Sequence, residues 1–461
     1  MTSPRPTSSL LSRRRLIVAA GAALAGAGAL ALAARRRLVS RLSQLTRLDE
    51  FSRTPPLAPH DPARDRRTLY VAKGAPPADN VDAVFAKLGG VETIVGADDV
   101  VIIKVSAQWW NQGMTNVAAV KRVIERVLGR EGFRGEVVVF ENVHFLLANG
   151  SGLARAWTRP SERNVDVPGW NKMGDLIPHF AGLGAPVSFV GLVDAGESRL
   201  AGDHWHDQAH EHGVYGGDGR GPLGPGDDRD GYHWSFDEAF RLRRSRVDYA
   251  QSPLTWPRFT ASRTGTVVDL RHGAFRREGG RLVPLGRNVT WINMTTANEH
   301  SATGYTGACK SAMGVVDMSA GRMGLDPRVR DYQSIHYFGD PHARWRMAGP
   351  LAHFAKTVRA PDLYLSVAEW VALTPRADWN EEREDIRMAE ASAFHTNALV
   401  AGTDPVAVDA WCVRNLLLPH ATVSRPLLDL DDPNARVSKF LRYYRQVYGS
   451  GTLDGGLVEV A

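Results

Sequence analysis

Asn298-Glu299-His300, followed after a short loop by Lys310, brings together side-chain types that work near neutral pH. An imidazole titrates in that range, and a lysine withdrawn from water becomes a nucleophile or an electrostatic clamp. Glu299 would orient or tune either one. The ordinary alternative is a surface Glu–His pair beside a lysine bonded to helix-end carbonyls. Upstream, Lys104 closes one apolar run, and Glu141-Asn142-Val143-His144 closes the next. Lys104, Glu141, His300 and Lys310 are therefore the expected catalytic set.

The loop Ser106 to Gly113 is a second candidate. Trp109, Asn111 and Gln112, with Asn116 just beyond, are the expected substrate-binding residues, because amides and a glycine ahead of a helix N-terminus suit an anion. Packing of Trp109 and Trp110 into the core, with the amides capping turns, is the competing explanation. No Gly-x₄-Gly-Lys-Ser/Thr pattern is present, so this is not a phosphate loop. A third group is Asp203-His204-Trp205-His206-Asp207 and His210-Glu211-His212. On a helix His206 and His210 would share a face, which makes His204, His206, His210 and His212 candidate ligands and a divalent metal the candidate cofactor. The run is not His-Glu-x-x-His, and a solvated lid is the more ordinary reading. Asp227-Asp228-Arg229-Asp230-Gly231 lacks the first carboxylate and the closing glutamate of a calcium loop and reads as an acidic turn.

These residues need strand ends to hold them. Val100 to Val105 is a continuous apolar run of the kind found in buried parallel strands. Thr115-Asn116 is a helix N-cap signal, followed at helical spacing by Val117, Val120, Ile124, Val127 and Leu128. Val137 to Phe140 is the next strand, completing a βαβ unit. Lys172 to Leu183 reads as a helix leading to a strand at Val187 to Val193. Strands are also expected at Asp362 to Val367 and Ala398 to Ala401. Asp404-Pro405 then opens a helix, with Asp as N-cap and Pro at the first position; Asp404 is explained by that role. The pattern predicts an α/β fold, a doubly wound, mostly parallel sheet with a Gly/His/Trp-rich insertion or lid at about 196–286. In open α/β sheets sites form beyond the carboxyl ends of strands, where Lys104 and Glu141 fall. Asp409 lies in an apolar run, where burial would call for a cationic partner; Lys104 and Lys310 are the candidates.

Four ordered segments resemble the domain of unknown function 362 family. They are Val101 to Val105 followed by Thr115-Asn116, Thr306-Gly307-Ala308-Cys309-Lys310-Ser311-Ala312-Met313-Gly314, Pro361-Asp362-Leu363, and Thr403-Asp404-Pro405-Val406-Ala407-Val408-Asp409-Ala410. The resemblance spans roughly residues 70–420 and implies an α/β domain, sometimes joined to ferredoxin-like clusters, without a settled reaction. It adds weight to Lys310 and His300. The chain departs from the pattern in having no cluster-ligand cysteines, Ser311 where an Asn commonly follows the Lys, and Glu369 near a position usually held by Asp.

The chain carries 56 basic and 50 acidic residues, a formal net charge of +6. The first 50 residues hold nine arginines against two acids, leaving 47 basic and 48 acidic beyond them. The basicity belongs to the N-terminus, so a nucleic-acid partner is not expected. There Arg13-Arg14-Arg15 precedes an uncharged run, Leu16 to Ala34, of Ala, Gly and Leu, with small residues at Ala29 and Ala31. This is a twin-arginine-type signal, which makes the translocase a partner and the extracytoplasmic space the destination. A retained membrane anchor is the alternative, favoured by Arg35-Arg36-Arg37 after the run. The expected organisation is a signal or anchor at 1–50, a linker at 51–67, the α/β domain at 68–450 and a tail at 451–461. Two cysteines, Cys309 and Cys412, exclude a self-contained four-cysteine iron–sulfur cluster. The absence of Gly-x-Ser-x-Gly argues against an α/β-hydrolase. The functional expectation is an exported enzyme or cofactor-handling protein acting on a small anionic substrate. A non-catalytic envelope binding protein and a metal-cofactor isomerase or racemase are the alternatives.

Overall fold

A computed structural model describes residues 68–142, 155–192, 194–195, 214–215, 222–224, 226–243, 249–300, 302–321, 332–338, 341–373, 393–422, 424–455 and 457–460. All fall in one compact unit, residues 55–244 with 249–461; the other unit, residues 1–54 with 245–248, lies outside the described residues. The signal segment, the linker to residue 67 and the His204–His212 run lie outside them too.

Strand β1 (Thr68–Lys73) leads into helix α1 (Pro77–Lys87). The apolar run after it becomes β2 (Val100–Lys104), in which all five residues are buried. Helix α2 (Val117–Leu128) starts where the cap signal places it: the Asn116 side chain accepts a hydrogen bond from the Ala119 amide at 3.1 Å. Val117, Val120, Val123, Ile124 and Val127 form its buried face. Burying each such aliphatic side chain contributes about 1.5–3 kcal/mol, which outweighs the modest helix propensity of valine. Strand β3 (Glu136–Asn142) then pairs parallel with β2, Ile102 opposite Val138. Helix α3 (Leu176–Gly182) precedes β4 (Val187–Leu192), which pairs parallel with β3, and the short β5 (Val214–Tyr215) follows.

Residues 231–284 form a second sheet: β6 (Gly231–Arg243), β7 (Tyr249–Thr260), β8 (Val267–Asp269), β9 (Gly273–Glu278) and β10 (Arg281–Pro284), each antiparallel to the next. Its Trp256, Phe259 and Val268 join the same apolar cluster as Phe140 and Trp291 of the main sheet. Phe259 stacks on Phe140 with ring centroids 5.7 Å apart. The described part of the expected insertion is thus built into the core on one face of the main sheet.

The chain returns as β11 (Val289–Thr295), the hairpin β12 (Asn298–His300) and β13 (Gly304–Thr306), helix α4 (Ala348–Thr357), β14 (Leu363–Ala372), β15 (Ala393–Gly402), and helices α5 (Pro405–Cys412) and α6 (Arg436–Tyr448). The 451–461 segment, expected as a tail, contributes β16 (Leu457–Val460), parallel to β1. The main sheet runs β16-β1-β15-β14-β11-β2-β3-β4-β5. From β14 to β5 every pairing is parallel; β15 is antiparallel to both β14 and β1. The sheet is therefore mixed, with an all-parallel half. Alternate residues of β2 face opposite sides: Val100 and Ile102 join the cluster with the second sheet, α4 and α5, while Val101 and Ile103 join the cluster with α1, α2 and α3. Cover on both faces is what a parallel sheet requires. No helix among the described residues is long and apolar enough to cross a membrane.

Candidate functional site

From β2 the chain steps to β3 and β4 on one side, while β11 lies on the other side and leads to β14. The direction of winding reverses between β2 and β11, and such a reversal opens a crevice beyond the carboxyl ends of the two strands. Lys104 ends β2 at that point, opposite Phe140 on one neighbour and Asn293 on the other. Its ammonium lies 3.5 Å from Glu141 Oε1, with both side chains buried. Glu141 Oε2 accepts a hydrogen bond from the Ala107 amide. Burial pushes the Lys104 ammonium below the ordinary lysine value, and Glu141 pulls against that shift.

The Ser311–Gly314 turn lies directly on this pair. A Cβ at Gly314 would stand 2.5 Å from Lys104 Cε and 2.8 Å from Glu141 Oε1, so only glycine permits the approach. Ser311 Oγ donates to Asn293 Oδ1 at 2.7 Å, tying the turn to β11. The loop before it is held from below by Asp409, whose two oxygens accept from the Ala308 and Cys309 amides at 2.6 and 2.8 Å. This corrects the expectation that Asp409 pairs with Lys104 or Lys310: its partners are backbone amides, and Lys104 belongs to Glu141. Even with two amides, burial raises Asp409 to about 7. Asp404 caps α5, accepting from Val406 and Ala407 at 2.9 and 3.2 Å. Cys309 and Cys412 are buried free thiols.

Lys310 sits between the Asp409-bound amides and the turn. It is partly exposed, and its ammonium makes no hydrogen bond or ion pair among the described residues. Burial, and after it the charge of Lys104, lowers it to about 7. His300 Nδ1 accepts from the Ala302 amide at 3.1 Å, which assigns the proton of the neutral ring to Nε2. Burial and then the charges of Lys310, His336, Arg344 and Arg436 hold His300 well below its ordinary value. The ring is a neutral group in a field of cations. Glu299 is buried beside it, opposite Tyr305 in the hairpin.

The expected substrate-binding residues hold loops together. Asn116 is buried at the cap of α2. Asn111, in the left-handed region at φ 52°, accepts from the Glu162 amide at 2.9 Å. Gln112 gives its carbonyl to Asn298 Nδ2 at 2.9 Å and its side-chain oxygen to Arg163 at 3.3 Å. Trp109 is partly buried, its Cβ close against Gly113. The four candidate metal ligands lie outside the described residues, among which no group of three or more His, Cys, Asp or Glu side chains is arranged to hold a metal ion. An open groove of about 680 Å³ between α1 and α2 is lined by Asp82, Arg122, Glu125 and Arg126, which pair with one another away from the strand ends.

Two groups escaped sequence reasoning. One residue beyond Glu141, Asn142 Nδ2 donates to Asp194 Oδ1 at 2.9 Å, and Asp317 is close enough to Asp194 that burial and then that charge raise it to about 7. Asp317 also accepts from Trp234 Nε1 at 2.7 Å and the Ala195 amide at 2.9 Å. At the end of β14, buried Glu369 bonds the imidazole of His395 at 2.5 Å. Glu369 falls where the β14–β15 register shifts, between Ala368 and Trp370. Carboxylates in apolar runs were the available signal, but their partners depend on strand register.

Residues 288–414 match the family model described as Domain of unknown function (DUF362). The match takes in three of the four resembling segments and leaves out the first, at residues 101–116. No curated protein matches. Among solved structures, a crystal structure of a Thermotoga maritima protein is similar at 10% identity and a TM-score of 0.27, over 69% of this chain. The chain spans 59% of that protein's length.

Proposed function

We propose that this protein is an enzyme acting on a small anionic substrate, held beyond the carboxyl ends of β2 and β11 with Lys310 as the engaging group. The observation that carries this reading is the Lys310 ammonium, beside a second lysine and with no hydrogen-bond or ion-pair partner among the described residues. Glu141 pairs with Lys104, and no carboxylate among the described residues pairs with Lys310, which leaves its charge for a ligand to neutralise. Arg344 and Arg436 add to that field around His300. Close amine groups in a crevice are also where pKa values are tuned for chemistry. Export through the N-terminal segment, and a divalent metal on His204, His206, His210 and His212, remain parts of the proposal that rest on sequence.

Calorimetric titration with small mono- and dicarboxylates and inorganic phosphate tests the reading. Binding of at least one of them is expected in the wild type, lost in Lys310→Met and retained in Lys356→Met, a change at an exposed lysine. Equal binding by all three proteins would overturn the assignment. Retention of a ligand with no turnover would favour a binding protein over an enzyme. Elemental analysis of untagged protein tests the metal; no metal and no affinity for added divalent ions would remove it.

A further inference from the structure

Lys310 differs in its surroundings from an ordinary electrostatic clamp. A clamp lysine is charged and already close to its counter-ion, whereas this side chain has none among the described residues and is set beside Lys104. Its backbone is fixed on both sides, by the Asp409–amide bonds at Ala308 and Cys309 and by the Ser311–Asn293 bond. The neighbouring Lys104 is anchored by Glu141 and cannot swing away without removing the cation from a buried carboxylate. The neutral ring of His300 lies within the electrostatic reach of Lys310.

We infer that Lys310 forms an imine with a carbonyl-bearing carboxylic acid, such as a 2-oxo acid, whose carboxylate is drawn in by Lys104 and the neighbouring arginines. This rests on the reading of the site as an anion site and names the substrate class. In the step, the neutral amine of Lys310 attacks the carbonyl carbon, and a proton passes from the nitrogen to the carbonyl oxygen to give a carbinolamine. The resulting carbinolamine loses water as its C–O bond breaks, leaving a protonated C=N bond; no electrons are gained or lost overall. The proton that leaves with the water is taken from solvent, and His300, neutral with its proton on Nε2, is a hydrogen-bond donor in the same cluster.

The reactive form is abundant. A lysine lowered to about 7 is neutral in half of the molecules at neutral pH. A lysine near the ordinary value is neutral in roughly one molecule in a few thousand. A cationic neighbour and partial desolvation are a known route to such an amine.

Borohydride trapping of the full chain with pyruvate, followed by peptide mapping, tests the inference. One reduced pyruvyl group on Lys310 is expected, with trapping at least about tenfold above that at exposed Lys87 and Lys356. Lys310→Arg, which keeps the charge and removes the nucleophile, should abolish the adduct while still binding lactate, the matching acid without a carbonyl. The pH profile of trapping should rise through about 7 in the wild type. In Lys104→Met/Glu141→Gln, which removes the ion pair as a unit, that midpoint should move upward. Binding of both acids with no adduct, or adducts confined to exposed lysines, would overturn the imine and leave the anion site standing. Failure to bind either acid would count against both. The wild-type map decides the question even if a variant does not fold.

Discussion

Two charged clusters in this molecule are built in opposite ways. In the second sheet, Asp269 of β8 is almost saturated: His233 and His272 donate to it at 3.0 and 2.9 Å, Arg258 at 3.1 and 3.2 Å, and Trp256 Nε1 at 3.1 Å. The Arg271 and His272 amides add two more bonds. Burial would raise this carboxyl, but the hydrogen bonds from His233 and His272 prevail and hold it far below the usual carboxylate range. At the winding reversal of the main sheet, Lys310 receives nothing of the kind from the described residues and is displaced toward its neutral form. A charge whose partners are all supplied by the protein stabilises the fold. A charge denied them costs stability, and that cost is a reason to look for a ligand.

The comparison breaks most visibly at Asp269. Asp269→Ala leaves Arg258 and two histidines without their common acceptor, and an expected loss of about 3–5 kcal/mol should appear in urea denaturation. A change within about 0.5 kcal/mol would show that the cluster is solvated rather than structural.

The next effect is a pH dependence. Asp317 and Asp409 are both raised to about 7 by burial, so each is protonated in the fold where it would be ionised in the unfolded chain. Such a group contributes stability that is full below the ordinary carboxylate value of about 4 and is lost as pH rises through the folded value. Denaturation midpoints measured from acid to neutral pH should therefore fall by an amount worth a few kcal/mol, and Asp317→Asn should flatten the slope. A rising curve in that window would contradict the assignment.

Gly314→Ala should cost about 1–3 kcal/mol by overpacking, because the new Cβ meets Lys104 and Glu141. Ligand binding should weaken with it, separating this turn from glycines that only serve loops. Lys310→Met is expected to have the smallest and opposite effect, a gain of about 1 kcal/mol at neutral pH with loss of anion binding. Because Lys310 is lowered, its penalty is greatest below about 7 and fades above the ordinary lysine value, so the gain should shrink as pH rises.

Much of the parallel half was legible in local pattern. Val100 to Lys104 reads as a buried strand, Asn116 caps the next helix, and Asp404-Pro405 opens α5, because each depends on neighbours within a few residues. Lys104 and Glu141 were expected at strand ends, but their ion pair follows from the β2–β3 register, with Lys104 opposite Phe140. Asp409 misled because the apolar run implied burial while giving no sign that its partners would be amides 100 residues away. The antiparallel β15 and the sheet at 231–284 were likewise hidden, since alternation and apolar content do not encode which strands meet. Asp194 and Asp317 carry no local mark of their repulsion.

Competitive acylation of the full chain with an amine-selective reagent, followed by quantitative peptide mapping across a pH series, bears most directly on the central claim. Lys310 is expected to gain reactivity with a midpoint near 7, well before exposed Lys87 and Lys356. A Lys310 that reacts only alongside those exposed lysines, above about 10, would contradict the account of a neutral amine at the head of β2 and β11.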